Sequence, residues 1–257
     1  MARAVSLDGL DLQGGYFTIS ESDIFNAPPK NVTLLELARR DGAKAVFEKF
    51  GNRKINLTGY IQAEDQDTAD AALDQLKSYI SRRGLSLRVE FMGVNRLWTV
   101  NTENLQVARK GVQVSNMGFN IGLVAPDPFG KEETTTELVN ETGLTEASNI
   151  AVVGGGSYFA HPLTEITINS INPDDDYASI SIGNATENTY MTVTQIFQAG
   201  DVLTIDSYNE IIYLNSSIIE GDGIFPYWSP TGGTFEFSFD ATSIDVDILA
   251  TYYKRWL

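Results

Sequence analysis

Apolar side chains recur at every second position in run after run of this 257-residue chain, and that alternation restricts it to sheets with one buried face. From Lys54 to Gln62 it puts Ile55, Leu57 and Ile61 on one side of a strand. Leu85, Leu87, Val89 and Phe91 alternate with Ser86, Arg88 and Glu90, and Val94 to Val100 can return as the antiparallel partner. Leu105 to Val114 and Met117 to Val124 read as a further pair, the second with Met117, Phe119, Ile121 and Leu123 on one face. Later runs are Ile166 with Ile168, Ile180 with Ile182, Met191 to Phe197, Val202 to Ile205, Ile211 to Leu214, Phe235 to Phe239 and Ile244 to Ile248. Turn signals at Asn172-Pro173, Gly200-Asp201, Gly221-Asp222-Gly223 and Thr231-Gly232-Gly233 separate them.

The period changes from two to that of a helix between Glu64 and Arg83. Ala69, Ala72, Leu73, Leu76 and Ile80 share one face, Asp67 can cap with Asp70 three residues on, Arg82 and Arg83 suit the last turn, and Gly84 can end it. The principal helix is therefore expected near residues 67–83, and a shorter helical stretch over Leu34 to Arg40. The fold class that follows is mainly β with one principal helix. An α+β first domain forms a sandwich or open barrel, and an all-β second domain reads as an antiparallel sandwich or jelly roll.

Charge divides the chain at the same place as the pattern. Residues 1–130 carry 15 Lys+Arg and 15 Asp+Glu, net 0, whereas residues 131–257 carry 3 and 19, net −16. Two prolines in Ala125-Pro-Asp-Pro-Phe-Gly130 end a strand, and residues 131–143 are polar and acidic with four threonines. The expected division is a first domain over 1–130, an acidic linker over 131–143 and an acidic β-sandwich over 144–257. Nucleic acid and anionic membranes require clustered Lys and Arg, so the acidic half is a poor surface for either. No run approaches the roughly 20 apolar residues that span a bilayer. The first residues lack the apolar core of a signal peptide, so synthesis and retention in a cytoplasm is the expectation. With no cysteine in the chain, disulfides, thiol nucleophiles and thiolate metal sites are excluded.

Residues that would carry chemistry are sparse. His161 is the single histidine, Pro162 follows it, and no nucleophile stands in a recognisable context around it, so no catalytic residue is assigned. Multi-histidine metal sites are excluded with it. Asp174 and Asp176, in the run after Asn172-Pro173, offer the hard oxygen ligands that calcium takes. Their spacing matches no complete calcium motif, and a solvated acidic turn is the reading taken; no cofactor is expected. Gly154-Gly155-Gly156 lacks the Lys-Ser/Thr ending of a phosphate loop and reads as a flexible turn. Phe225, Tyr227 and Trp228, in Phe225-Pro-Tyr-Trp-Ser-Pro230, offer either a sugar-stacking or docking platform, or aromatics folded back over the sandwich end.

The order of these features resembles a known family. Arg53-Lys-Ile-Asn-Leu-Thr-Gly-Tyr-Ile61, the helix around Ala71-Ala-Leu-Asp-Gln-Leu-Lys77, the strand Gly118-Phe-Asn-Ile-Gly-Leu123 and Pro126-Asp-Pro-Phe-Gly130 resemble the amino-terminal half of the distal tail protein of long-tailed, non-contractile bacteriophages. Gly200-Asp-Val-Leu-Thr-Ile-Asp206, Ile211-Ile-Tyr-Leu-Asn215, Gly223-Ile-Phe-Pro226, Thr231-Gly-Gly-Thr-Phe-Glu-Phe237 and Tyr252-Tyr-Lys-Arg-Trp-Leu257 resemble its β-sandwich carboxy-terminal domain. The resemblance implies a structural virion protein with no enzymatic activity, located at the tail tip and assembled in the host bacterial cytoplasm. Its first domain, tail-tube-like in fold, would build a hexameric ring joining the tail tube to the tip hub. Its second, galectin-like or carbohydrate-module-like, would project outward. Implied partners are copies of itself, the tail-tube protein, the tail-tip hub protein, and receptor-binding proteins or host-surface glycans. DNA would pass through the ring without being bound, and no membrane insertion is implied. The competing readings are a carbohydrate-binding module or lectin-like adhesin, and another tail-tube or hub ring component.

Overall fold

The structure, a computed structural model, describes residues 4–36, 41, 43–109, 115–172 and 177–257. The chain packs as two units, Met1–Glu133 and Thr134–Trp256. The first contains β1 (Ala4–Leu7), β2 (Leu10–Asp11), β3 (Phe17–Ser22), β4 (Lys30–Glu36), β5 (Ala43–Phe50), β6 (Arg53–Gln62), helix α1 (Gln66–Ile80), β7 (Leu85–Phe91), β8 (Val94–Arg109), β9 (Asn116–Ala125) and β10 (Gly130–Glu132).

Seven of these strands form one antiparallel path in the order β2-β1-β7-β8-β9-β6-β3. β6 pairs along its whole length with β9, from Arg53 opposite Ala125 to Gln62 opposite Asn116. Its period-two face is therefore fixed on the core side: Ile55, Leu57 and Ile61 are fully buried. Gly59 shares that face because a side chain there would meet the Thr18 carbonyl oxygen and stand 2.7 Å from the Phe119 ring. The two runs expected as separate strands, Val94 to Val100 and Leu105 to Val114, belong to the single strand β8 as far as Arg109, and 110–114 lie outside the described residues. Its first part pairs with β7 and its second with β9, and a bulge between Thr102 and Asn104 marks the change. Bulges bend and twist a strand, so one strand can serve two sheet segments that face a common core.

Helix α1 lies between β6 and β7 in sequence and buries Ala69, Ala72, Leu73 and Leu76. Burying its two leucines contributes roughly 1.5–3 kcal/mol each. Its cap differs from the sequence expectation: Asp65, not Asp67, accepts from the Thr68 backbone N–H at 2.7 Å, while Asp67 lies in the first turn. The helix stops at Ile80 with Ser81 as C-cap, so Arg82, Arg83 and Gly84 lie beyond it. The helix expected over Leu34 to Arg40 is replaced through Glu36 by β4, and 37–40 lie outside the described residues. β4 pairs antiparallel with β5 across a bulge at Thr33/Leu34, and the backbone bonds of that ribbon take up the residues a helix would have used.

The second unit contains β11 (Thr136–Leu144), β12 (Ser148–Val152), β13 (Leu163–Ile171), β14 (Ala178–Asn184), β15 (Thr189–Gln195), β16 (Val202–Asp206), β17 (Ile211–Leu214), β18 (Ser217–Ile219), β19 (Asp222–Gly223), β20 (Gly233–Asp240) and β21 (Ile244–Tyr252). Two antiparallel sheets result, β11-β21-β13-β16-β17-β18 and β12-β20-β14-β15-β19. Ile166, Ile168, Leu203, Ile205, Val246 and Ile248 from the first join Ile180, Ile182, Val193, Phe235 and Phe237 from the second in one buried core. This is the all-β sandwich expected from the alternation.

The segment 131–143, expected as a linker, is instead taken into both units. Lys131 and Glu132 pair with Leu97 and Arg96 in the first, and β11 pairs with β21 in the second. Threonine-rich and acidic residues suit a strand at the margin of a sheet as well as a tether, because only Val139 of β11 is buried.

Candidate assembly surface

The feature of the first unit that folding leaves unsatisfied is the ribbon β4–β5. Among the described residues its two strands pair only with each other. Every residue of β4 is exposed. Val32, Leu34, Leu35 and Val46 are 46%, 61%, 58% and 62% exposed, an apolar group at home in an interface. An ion pair between Lys30 and Glu48 ties the strands across the ribbon. A two-stranded ribbon alone is marginally stable, and a strand edge is a template for further pairing, so both backbone and side chains favour a partner.

A second feature lies on the outward face of the β3-β6-β9-β8 segment. Thr58, Tyr60, Gln62, Gln106, Asn116 and Asn120 are among the residues around a hollow of about 850 Å³. Asn120 donates to the Thr58 hydroxyl at 3.1 Å. Among the described residues no Lys, Arg, Asp or Glu lines the hollow. That lining offers amides and hydroxyls, which do not displace phosphate counterions as clustered cations do.

In the second unit the aromatic loop is divided between core and surface. Trp228 is 1% exposed and stacks on Phe235 in the core. It is held there by reciprocal backbone bonds with Ala160, each 2.9 Å. Phe225 lines an apolar hollow of about 340 Å³ with Met191, Ile212 and Ile218, and Glu210 and Glu220 also line it. Tyr227 sits in a half-exposed aromatic group, its ring 5.2 Å from Phe159 and 6.1 Å from His161. The three residues that sequence placed together thus point to three different surroundings. His161 is half-buried between Tyr227 and Tyr208, its ring 6.5 Å from the latter, in a setting of aromatic packing.

Gly154-Gly155-Gly156 is not a flexible turn. Side chains there would run into Ser229 and Gly232, Lys254, and the Arg255 backbone respectively. The glycines let two backbone segments approach closely, a use that composition alone does not distinguish from flexibility. Asp174 and Asp176 lie outside the described residues. Among the described residues no group of three or more His, Asp and Glu side chains is arranged to hold a metal ion, and no helix is long and apolar enough to cross a membrane.

Sequence reasoning missed Arg53 and the ribbon. The signal for Arg53 was present, since it occupies the same period-two face as Ile55, Leu57 and Ile61. It is 2% exposed. Its guanidinium donates to the Ile24, Asn26 and Pro128 carbonyl oxygens. Burial pushes its pKa below the ordinary arginine value, Asp23 works in the opposite direction, and nearby Arg96 adds to the lowering.

No protein-family model matches the chain, and no curated protein matches it. Among solved structures, it is similar over 99% of its length to 99% of the SPP1 Dit protein, described as a paradigm of the hub adsorption apparatus in phages infecting Gram-positive bacteria; the TM-score is 0.72 at 12% identity. It is also similar over 99% of its length to 98% of a chain from the phage P2 baseplate in its activated conformation with calcium, at a TM-score of 0.50 and 8% identity. The chain therefore shares the two-part fold of the SPP1 Dit protein from end to end.

Proposed function

We propose that this chain is a structural subunit of a bacteriophage tail tip, and that its first unit closes with copies of itself into a six-fold ring at the distal end of the tail tube. The ring joins the tube to the tip hub, and the acidic second unit offers a platform for adhesion proteins. Assembly takes place in the host cytoplasm. The chain has no enzymatic role in this reading.

The observation that carries the proposal is the exposed apolar ribbon β4–β5. A strand pair with four half- to two-thirds-exposed aliphatic side chains is costly in a free monomer, and a neighbouring copy that covers it removes that cost. The full-length likeness in fold to the SPP1 Dit protein, a paradigm of a phage hub adsorption apparatus, supports the tail-tip reading. The charge division is compatible with it: the neutral half can pack against itself without repulsion, and net −16 falls in the half that need not self-associate. The amide- and hydroxyl-lined hollow on the first unit suits the wall of a channel through which DNA passes without being held.

The test is to label the protein on particles of the phage that encodes it and locate the label by electron microscopy. One band at the tail tip is expected. Label along the whole tube would make it a tube subunit, and label absent from particles would overturn the proposal.

A further inference from the structure

The chain runs into the ribbon through Ile24–Pro29 and out of it through Gly51 and Asn52. Whatever grips those few residues sets the direction in which the ribbon points. One grip is local: the Gly51 N–H donates to the Pro29 carbonyl at 2.8 Å, closing the ribbon at its root. A second is a ring contact, Phe50 edge-on to Phe129 with centroids 5.5 Å apart. The first closes the ribbon on itself, the second packs it on Phe129, which is 6% exposed, and Ile24 of the entering segment is 1% exposed in the core.

Arg53 adds a buried polar grip that joins several segments at once. As the first residue of β6 it is 2% exposed, and its side chain reaches back to the incoming segment. One nitrogen, Nη2, donates to the Ile24 carbonyl and to the Asn26 carbonyl, the second at 2.5 Å. The other, Nη1, donates to the Pro128 carbonyl at 3.2 Å. The guanidinium carbon lies 5.4 Å from the centroid of the Trp98 ring, itself 2% exposed, on β8. One planar group thus joins the strand leaving the ribbon, the segment entering it and the loop after β9.

Burying a guanidinium for stability alone is a poor bargain, since an aliphatic side chain of similar volume can often fill such a site with no desolvation cost. What an aliphatic chain cannot supply is a rigid fork of donors reaching carbonyls on separate segments. We propose that Arg53 is the positioning residue of the β4–β5 ribbon, holding its root at a fixed angle to the core so that the ribbon is presented ready to dock. The consequence for assembly rests on the ring reading above. The consequence for the ribbon's own order does not.

Two variants of the full chain test this by hydrogen exchange, thermal melting and sedimentation. Arg53→Lys keeps the charge but replaces the planar fork with a point donor, and Arg53→Met keeps apolar bulk without donors. In Arg53→Lys, amides of 24–36 and 43–50 should exchange about tenfold faster or more, while those of β7 and β9 keep their wild-type rates. The concentration at which copies associate should rise by a similar factor, about tenfold, because an ordered root is lost. Arg53→Met should show the same local effect or a larger one. Unchanged exchange at the root in both variants would overturn the proposal. So would equal acceleration across the whole unit, which would make Arg53 a residue of general stability. If the wild type never associates, the ring reading fails while the exchange comparison still decides the role of Arg53.

Discussion

Trp228 stacks on Phe235 with ring centroids 5.8 Å apart and planes at 18°, and both side chains are buried in the core of the second unit. The tryptophan in the loop most suggestive of a sugar platform is therefore a structural residue. Trp228→Ala should destabilise the second unit by about 3–5 kcal/mol, read as a large fall in its melting transition with the first unit's transition in place. Any glycan-binding test of this domain belongs on the exposed aromatic group instead. Tyr227→Ala should leave the fold intact, and a glycan array on that variant and the wild type should give the same null pattern if the domain is a platform only.

Leu34 and Val46 are 61% and 62% exposed on the ribbon, so replacing them removes little from a free chain. The double variant Leu34→Glu with Val46→Glu should shift monomer stability by no more than about 1 kcal/mol. Self-association should be abolished, because charges would have to be desolvated in the interface. Paired melting and sedimentation runs check both halves of that statement.

Gly156 has φ near +87°, and a Cβ there would press on the Arg255 carbonyl oxygen and approach its nitrogen to 2.9 Å. Gly156→Ala should cost roughly 1–3 kcal/mol through backbone strain and overpacking. A lowered melting transition confined to the second unit is the expected result; an unchanged one would mean that the close approach is not required.

Asp65 is expected to make the helix cap sensitive to acid. The Thr68 backbone N–H bonded to its carboxylate holds its pKa below the ordinary 3.8. A group whose pKa is depressed by folding stabilises the native state fully above its unfolded value and loses that contribution as pH falls through the depressed folded value. Asp65→Ala should therefore melt below the wild type at pH above about 4, with the gap narrowing as the pH drops under 3.8. Melting curves of both proteins across that range check the sign.

The parts of this fold that were legible in the sequence are those where burial imposes a period. Ile55, Leu57 and Ile61 on β6, and Ala69, Ala72, Leu73 and Leu76 on α1, announce themselves because one face of each element meets the core. β4 gives no such signal. Both its faces are exposed, so Leu34 and Leu35 read as helix formers, and the pairing with Ala43–Phe50 that makes them a strand is invisible to local periodicity. β11 was hidden for a related reason: bulges at Glu137/Val139 and Glu141/Leu144 break its alternation, and only Val139 is buried. The candidate surface was the least legible part, since it is defined by what the monomer leaves uncovered.

The most direct measurement is the native mass of the purified full-length chain at micromolar concentration, alone and with tail-tube protein. The ring reading predicts a species of six 28.2 kDa subunits, and its loss in the Leu34→Glu, Val46→Glu variant. A clean monomer that also fails to join the tube protein would contradict it.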